Sequence, residues 1–160
     1  MRIGITGHTN LTDVGAEVIY SALVQHLHSY GDDGSGLIGV TCLADGADQL
    51  FARAVRDVGG VYEVVLPAPD YRRVVPAERR REFDALLAGA RTVLSTGAKR
   101  SGRSAYVAAN RIMLDRVDEL IAVWDGHERG DPGGTADVVT LARDREMPMT
   151  VIWPAGAERT

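Results

Sequence analysis

DELIAVWDG, residues 118–126, is the stretch that decides the fold. Two acids open it, five apolar residues run without a break from Leu120 to Trp124, and Asp125–Gly126 closes it. A strand with one wet face alternates polar and apolar side chains. An unbroken apolar run of this length instead suits a strand covered on both faces, as in a parallel sheet between helix layers. The segments on either side have helical spacing: roughly 104–116 before it, and TADVVTLARDRE, 135–146, after it.

The same alternation extends through the chain. RIGIT (2–6), LIGVTCL (37–43), VYEVVLP (61–67) and PMTVIWP (148–154) read as further strands, and RTVLST (91–96), whose last residues are polar, as an edge strand. A helix is expected from about Asp13 to Tyr30, with Val14, Val18, Ala22 and Leu23 facing the core. A second covers 46–58, with Ala47, Leu50, Phe51, Ala54 and Val58 inward. After an irregular PAPDYRR lead-in, the arginine-rich stretch from Pro69 to Ala88 reads as a surface helix. Repeated βα units predict an α/β fold: a doubly wound, mostly parallel, three-layer sandwich forming a single domain over 1–160.

With 45% hydrophobic and 25% charged residues, the composition is that of an ordinary globular protein. No apolar run approaches the roughly 18 residues that cross a bilayer, and MRIGITG enters a strand with no signal-peptide pattern. Cys42, the single cysteine, rules out an internal disulfide and reads as a small core residue in a reducing compartment. A cytoplasmic location is the expectation, with no membrane partner. The net charge of −4 argues against a duplex nucleic-acid binder that relies on bulk phosphate attraction. Of 18 basic residues, 17 are arginine. Clusters at Arg72–Arg73, Arg79–Arg81 and Lys99–Arg103 are candidate anion contacts, the first two reading better as solvated helix faces.

In open parallel sheets ligands bind beyond the carboxyl ends of the strands, where the winding reverses. Three of those ends carry glycine and small polar residues. The first has Thr6, Gly7, His8, Thr9 and Asn10; the second has Asp45, Gly46, Ala47 and Asp48. The fifth has Asp125, Gly126, Gly133, Gly134, Thr135 and Asp137. A helix N-terminus has unpaired N–H donors and partial positive charge, so PGGT opening a helix is suited to a phosphate, with the Thr135 hydroxyl as donor or cap. A plain turn with a threonine cap is the simpler reading. Neither GxGxxG after the first strand nor GxxxxGK[ST] occurs, so hydride transfer and P-loop phosphoryl transfer are discounted, and no cofactor is expected. No histidine pair has metal-ligand spacing with a third ligand, so no metal site is expected.

GITGH, LADGADQLFARA and DELIAVWDG…GGTADVV…PMTVIWP, in this order, resemble the SLOG superfamily. That group contains LOG-type cytokinin-activating phosphoribohydrolases, the DNA-processing protein DprA and molybdenum-cofactor carriers. The resemblance spans most of the chain except roughly 67–103. It implies a Rossmann-like fold, binding of a nucleotide or nucleotide derivative as a sensor or carrier, and often a homodimer. LOG enzymes cleave the N-glycosidic bond of nucleoside 5′-monophosphates with an arginine on the helix before the fifth strand and a glutamate in PGGxGTxxE. Here the family's arginine position falls on Ala109, with Arg111 two residues later. The acid is Asp137, two residues after Thr135 rather than three, a step that turns a helical side chain by about 100°. Arg111 and Asp137 are thus the catalytic candidates under the enzyme alternative. A DprA-like single-strand DNA binder is disfavoured by the acidic balance and by basic segments lacking interleaved aromatics.

Among single residues, His8 can contact a phosphate or act as acid or base, against a plain capping role. Asp48 satisfies a helix N-terminus or meets a ligand hydroxyl. Asp125 holds a ribose or base amine, or simply closes a turn. Tyr106 and Arg111 lie on the helix entering the fifth strand; Arg111 meets a phosphate or pairs with Asp115, and Asn110 is a further pocket candidate. Trp124 stacks on a base or fills the core.

Overall fold

The computed structural model describes residues 1–31, 33–127 and 134–160. Among them, six strands form one wholly parallel sheet: β1 (Arg2–Gly7), β2 (Ile38–Thr41), β3 (Val61–Leu66), β4 (Thr92–Ser95), β5 (Glu119–Val123) and β6 (Met149–Ile152). Their order is β4-β3-β2-β1-β5-β6. The chain winds outward from β1 to β4, crosses back over the sheet, and resumes at β5 on the other flank of β1. The winding therefore reverses between β1 and β5, which pair from Ile3↔Glu119 to Gly7↔Val123. This is the expected α/β, doubly wound, Rossmann-like three-layer architecture.

Five α-helices cover the two faces: α1 (Asp13–His28), α2 (Ala47–Asp57), α3 (Arg80–Ala88), α4 (Arg103–Asp115) and α5 (Thr135–Asp144). Ile19, Leu23 and Leu27 of α1, Phe51 and Val55 of α2, and Phe83 and Leu86 of α3 pack with Ile3 and Ile5 on one face. Ala109 and Met113 of α4 and Val138 and Ala142 of α5 pack with Val40, Val65 and Leu120 on the other. The expected inner face of α1 is one residue out of register. Val14 is 59% exposed, and the buried stripe is Gly15, Ile19, Leu23 and Leu27. The bulkier i, i+4 series takes the core, and a one-residue offset turns Val14 and Val18 away from it.

The stretch expected as one arginine-rich surface helix is broken into two short 3-10 turns, Tyr71–Arg73 and Ala77–Arg79, followed by α3. Pro76 causes the break: its ψ of 139° is extended, and proline disfavours helical backbone in the residue before it. The edge assignment of β4 holds, with alternating exposure along Thr92–Ser95. No described helix is long and apolar enough to cross a membrane.

Beneath the sheet, at the amino end of β3, Glu63 is buried and clasped by Arg2 at 2.6 Å, Arg91 at 3.0 Å and Arg116 at 3.1 Å. Burial alone would push its carboxyl upward. Hydrogen bonds from Arg91 and Arg116 and the charge of Arg2 outweigh it and hold the group below the usual carboxylate range. The cluster ties β1, β3 and the segments preceding β4 and β5 together. Glu63→Gln leaves three guanidinium groups without their counter-charge and should cost about 2–4 kcal/mol in urea unfolding. Arg91→Ala, at a half-exposed partner, should cost less than about 1 kcal/mol.

Candidate functional site

Beyond the carboxyl ends of β1, β2 and β5 lies an open cleft of about 570 Å³, within the usual range for small-molecule sites. It sits at the reversal of winding. Its floor is the end of β1 with the loop that follows, where Gly7, His8 and Thr9 all line the cavity. Gly7 is required there by close approach. A β-carbon at this position would lie 2.4 Å from Cβ of Ala47 and 2.8 Å from Cβ of Val123. The start of α2 is thereby pressed against β1, and the amide of Ala47 donates to the carbonyl of His8 at 3.2 Å.

One wall carries Asp48. β2 ends at Thr41, Leu43 adopts a left-handed φ of 55°, and the chain turns through Gly46 (φ 86°) into α2. That turn places Asp48 in the cleft yet 6% exposed. The Ala44 amide donates to its Oδ2 at 3.3 Å. Burial drives its pKa up to about 7, against the hydrogen bonds from Ala44, Cys42 and Thr41 that favour the anion. The sequence assigned Asp48 a helix-start role or a ligand role, and the geometry is compatible with both at once. Gly46 faces away, toward a smaller cavity of about 200 Å³ that Asp45 also lines.

The same side is completed by aromatic residues. Tyr106 of α4 lines the cleft, and its ring meets that of Tyr71 edge-on with centroids 6.0 Å apart. Asn110, one turn along α4, lines it as well. Opposite them, Gly134 and Thr135 present the N-terminus of α5 to the cavity, beside the buried indole of Trp124. The indole N–H of Trp124 donates to the His127 carbonyl at 3.2 Å. Gly133 lies outside the described residues.

The charged centre of the site is a cluster the sequence only half revealed. Asp125 lies 3.2 Å from Nε2 of His8, and the guanidinium of Arg159 donates to its other oxygen at 2.5 Å. Burial would raise the Asp125 carboxyl, but Arg159, the His127 amide and His8 hold it well below the usual range. Burial and the charge of Arg159 lower the His8 pKa, leaving the imidazole neutral at pH 7, edge-on to Trp153. Arg159 lines the cleft although it stands in what reads as a short tail. Residues 158–160 run back along the loop after β1: Thr12 donates its amide to Glu158, and Thr160 donates to Asn10. A polar tail with no periodicity gives no hint of this return. Tyr71 was likewise hidden, in the lead-in of the broken helix.

Asp125 thus sits under the rim rather than in the lining, as does its neighbour Gly126. Arg111 and Asp137 are exposed and contribute nothing to the lining. The one-residue shift of the acid and the two-residue shift of the arginine put both side chains on outer helix faces.

The fold is shared with solved structures of two kinds of protein. DNA processing protein A (DprA) from Streptococcus pneumoniae aligns over 96% of this chain with a TM-score of 0.69 at 18% identity. The chain spans half of that protein's length. A structure of DNA processing protein A from Helicobacter pylori, described for its single-stranded DNA binding mode, aligns over 99% of this chain and 68% of its own. Its TM-score is 0.68 at 16% identity. The Moco carrier protein of Chlamydomonas rheinhardtii aligns over 94% and 74% of the two chains, with a TM-score of 0.56 at 18% identity. No family model and no curated protein sequence matches the chain. The chain has the Rossmann-like fold of these structures, the fold that its motifs imply.

Asp48 has a measurable signature. Its pKa rises on folding from the ordinary 3.8 to about 7, so the folded state keeps a proton that the unfolded chain has released. Stability contributed at low pH is lost as pH climbs through that window. Asp48→Asn should match the wild type near pH 4 and exceed it at pH 8 by on the order of 2–4 kcal/mol. Urea midpoints at the two pH values check this, and equal differences at both would refute it.

Proposed function

We propose that this domain binds a nucleotide or nucleotide-derived small molecule in the cleft, as a sensor or carrier. The supporting observation is the convergence, at the reversal of winding, of two unlike walls. The start of α5, with Gly134 and Thr135, offers backbone donors and dipole charge to a phosphate. Thr9, His8 and Arg159 stand beside it. The facing wall offers Tyr71 and Tyr106 for a base or ribose to lie against, with Asp48 and Asn110 as hydrogen-bonding groups. Gly7 and Gly46 serve the turns that bring these groups together, and Asp125 with Gly126 anchors the rim.

Isothermal titration against common nucleoside mono- and diphosphates, cyclic dinucleotides and NAD derivatives tests this. At least one should bind, and Thr135→Val should weaken it roughly three- to tenfold through loss of one hydroxyl contact. Failure of every ligand to bind at millimolar concentration ends the proposal.

One observation favours a second reading, hydrolysis of the N-glycosidic bond of a nucleoside 5′-monophosphate. Asp48 is a cleft carboxyl that retains its proton close to neutral pH, so it is equipped to protonate a departing base while water adds to C1′. Arg111 and Asp137, the pair implied by the LOG enzymes, would act in this reading only from outside the cleft. Chromatography for free base and ribose 5-phosphate decides it. Release lost in Asp48→Asn supports the reading; intact substrates throughout the panel remove it.

A further inference from the structure

Residues 67–103, the stretch outside the family resemblance, hold nine basic and four acidic residues, a net of +5, which leaves −9 for the rest of a chain whose total is −4. Four of the eight arginines there have structural employment. Arg72 pairs with Asp84 at 2.8 Å, Arg79 lies 3.6 Å from Asp45, Arg80 donates to the carbonyls of Arg72, Arg73 and Val75, and Arg91 holds Glu63. Lys99, Arg100 and Arg103 differ. All three are exposed, and among the described residues none forms a salt bridge.

Their position is fixed by one clamp. The amide and hydroxyl of Ser101 both donate to Oδ1 of Asp70 at 2.7 Å. Asp70 immediately precedes Tyr71, and Arg103 lies one helical turn before Tyr106 on α4, so the clamp holds the 97–102 loop beside the two tyrosines, with the three cations just outside the cleft lining. Gly102, the N-cap of α4, supplies no side-chain cap, so the first amides of a 13-residue helix add donors and dipole charge beside the three cations. By the strand order α4 packs toward β3 and α5 toward β5, so the two helix starts approach the cleft from opposite sides of β1.

We propose that Lys99, Arg100 and Arg103 form a second anion subsite, and that the ligand is a nucleotide derivative carrying a second phosphate or other anionic group besides its 5′-phosphate. The proposal rests on the binding function above and narrows its ligand class. Uncommitted cations at a pocket mouth attract and hold a phosphate through charge-assisted hydrogen bonds. A long nucleic-acid strand is a poorer match, because the surface outside 67–103 is strongly acidic and would repel its continuing backbone.

The test compares three probes by isothermal titration: a nucleoside 5′-monophosphate, the 3′,5′-bisphosphate of the same nucleoside, and a ten-residue single-stranded oligonucleotide. The bisphosphate should bind roughly tenfold more tightly than the monophosphate. The triple variant Lys99→Glu, Arg100→Glu, Arg103→Glu should erase that advantage while leaving monophosphate affinity within about twofold. Far-UV circular dichroism and the melting temperature establish that the variant is folded, as three exposed positions should allow. Monophosphate binding with no bisphosphate advantage, or an advantage that survives in the variant, overturns the subsite alone. Binding of neither nucleotide overturns the subsite, and the parent reading falls only if the wider nucleotide panel also fails to bind. An oligonucleotide that binds more tightly than the bisphosphate, and only with the rim intact, overturns the small-ligand assignment in favour of a nucleic-acid strand.

Discussion

The close approach of α2 and α4 to the central strand governs how this molecule is built. β1 has glycine on both of its faces. At Gly4 a β-carbon would lie 2.4 Å from Sδ of Met113 on α4, and at Gly7 it would lie 2.4 Å from Cβ of Ala47 on α2. Interiors pack to crystal density, so a methyl at Gly7 forces α2 outward, whereas one at Gly4 displaces the Met113 thioether. With both helices seated, α2 brings Asp48 and α4 brings Tyr106 and Asn110 to the same cleft. The strand that is thinnest in side chains is thus the one on which the cleft is assembled from both layers.

Electrostatics divides along the axis of the sheet. At the amino ends of the strands, Glu63 and its three arginines form a cluster in which every cation has a carboxylate to face. At the carboxyl ends charge is less evenly matched. Asp125 is neutralised by Arg159 beside the uncharged His8, whereas among the described residues Asp48 has no cation against it and keeps its proton. The lower cluster stabilises; the upper one leaves donors and a titratable acid in a solvent-open cavity. Such imbalance, maintained by a rigid sheet, is what a ligand can relieve.

The cleft also has a direction. Its α5 side presents a helix start and Arg159, and its α4 side presents two tyrosines with a cationic rim above them. The solved structures with this fold include a protein described by its single-stranded DNA binding and one described as a cofactor carrier. A scaffold shared by proteins described so differently places specificity in the loops, and here residues 67–103 carry the local excess of positive charge.

Sequence alone was enough for the parallel sheet, because an apolar run such as LIAVW with helical periodicity on both sides has few other ways to bury itself. It was also enough for the loops after β1, β2 and β5, since glycine and small polar residues at strand ends are a local signal. The inner face of α1 and the break at Pro76 were misjudged, because core packing and backbone restriction outweighed the period of the pattern. Arg159, Tyr71 and the pairing of His8 with Asp125 came only from the tertiary structure. Each depends on segments far apart in the chain: a tail folded back along residues 10–12, a turn clamped by Ser101, and two strands that meet only where the winding reverses. Periodicity records which face a residue turns to the core; it holds no record of which distant residue waits there.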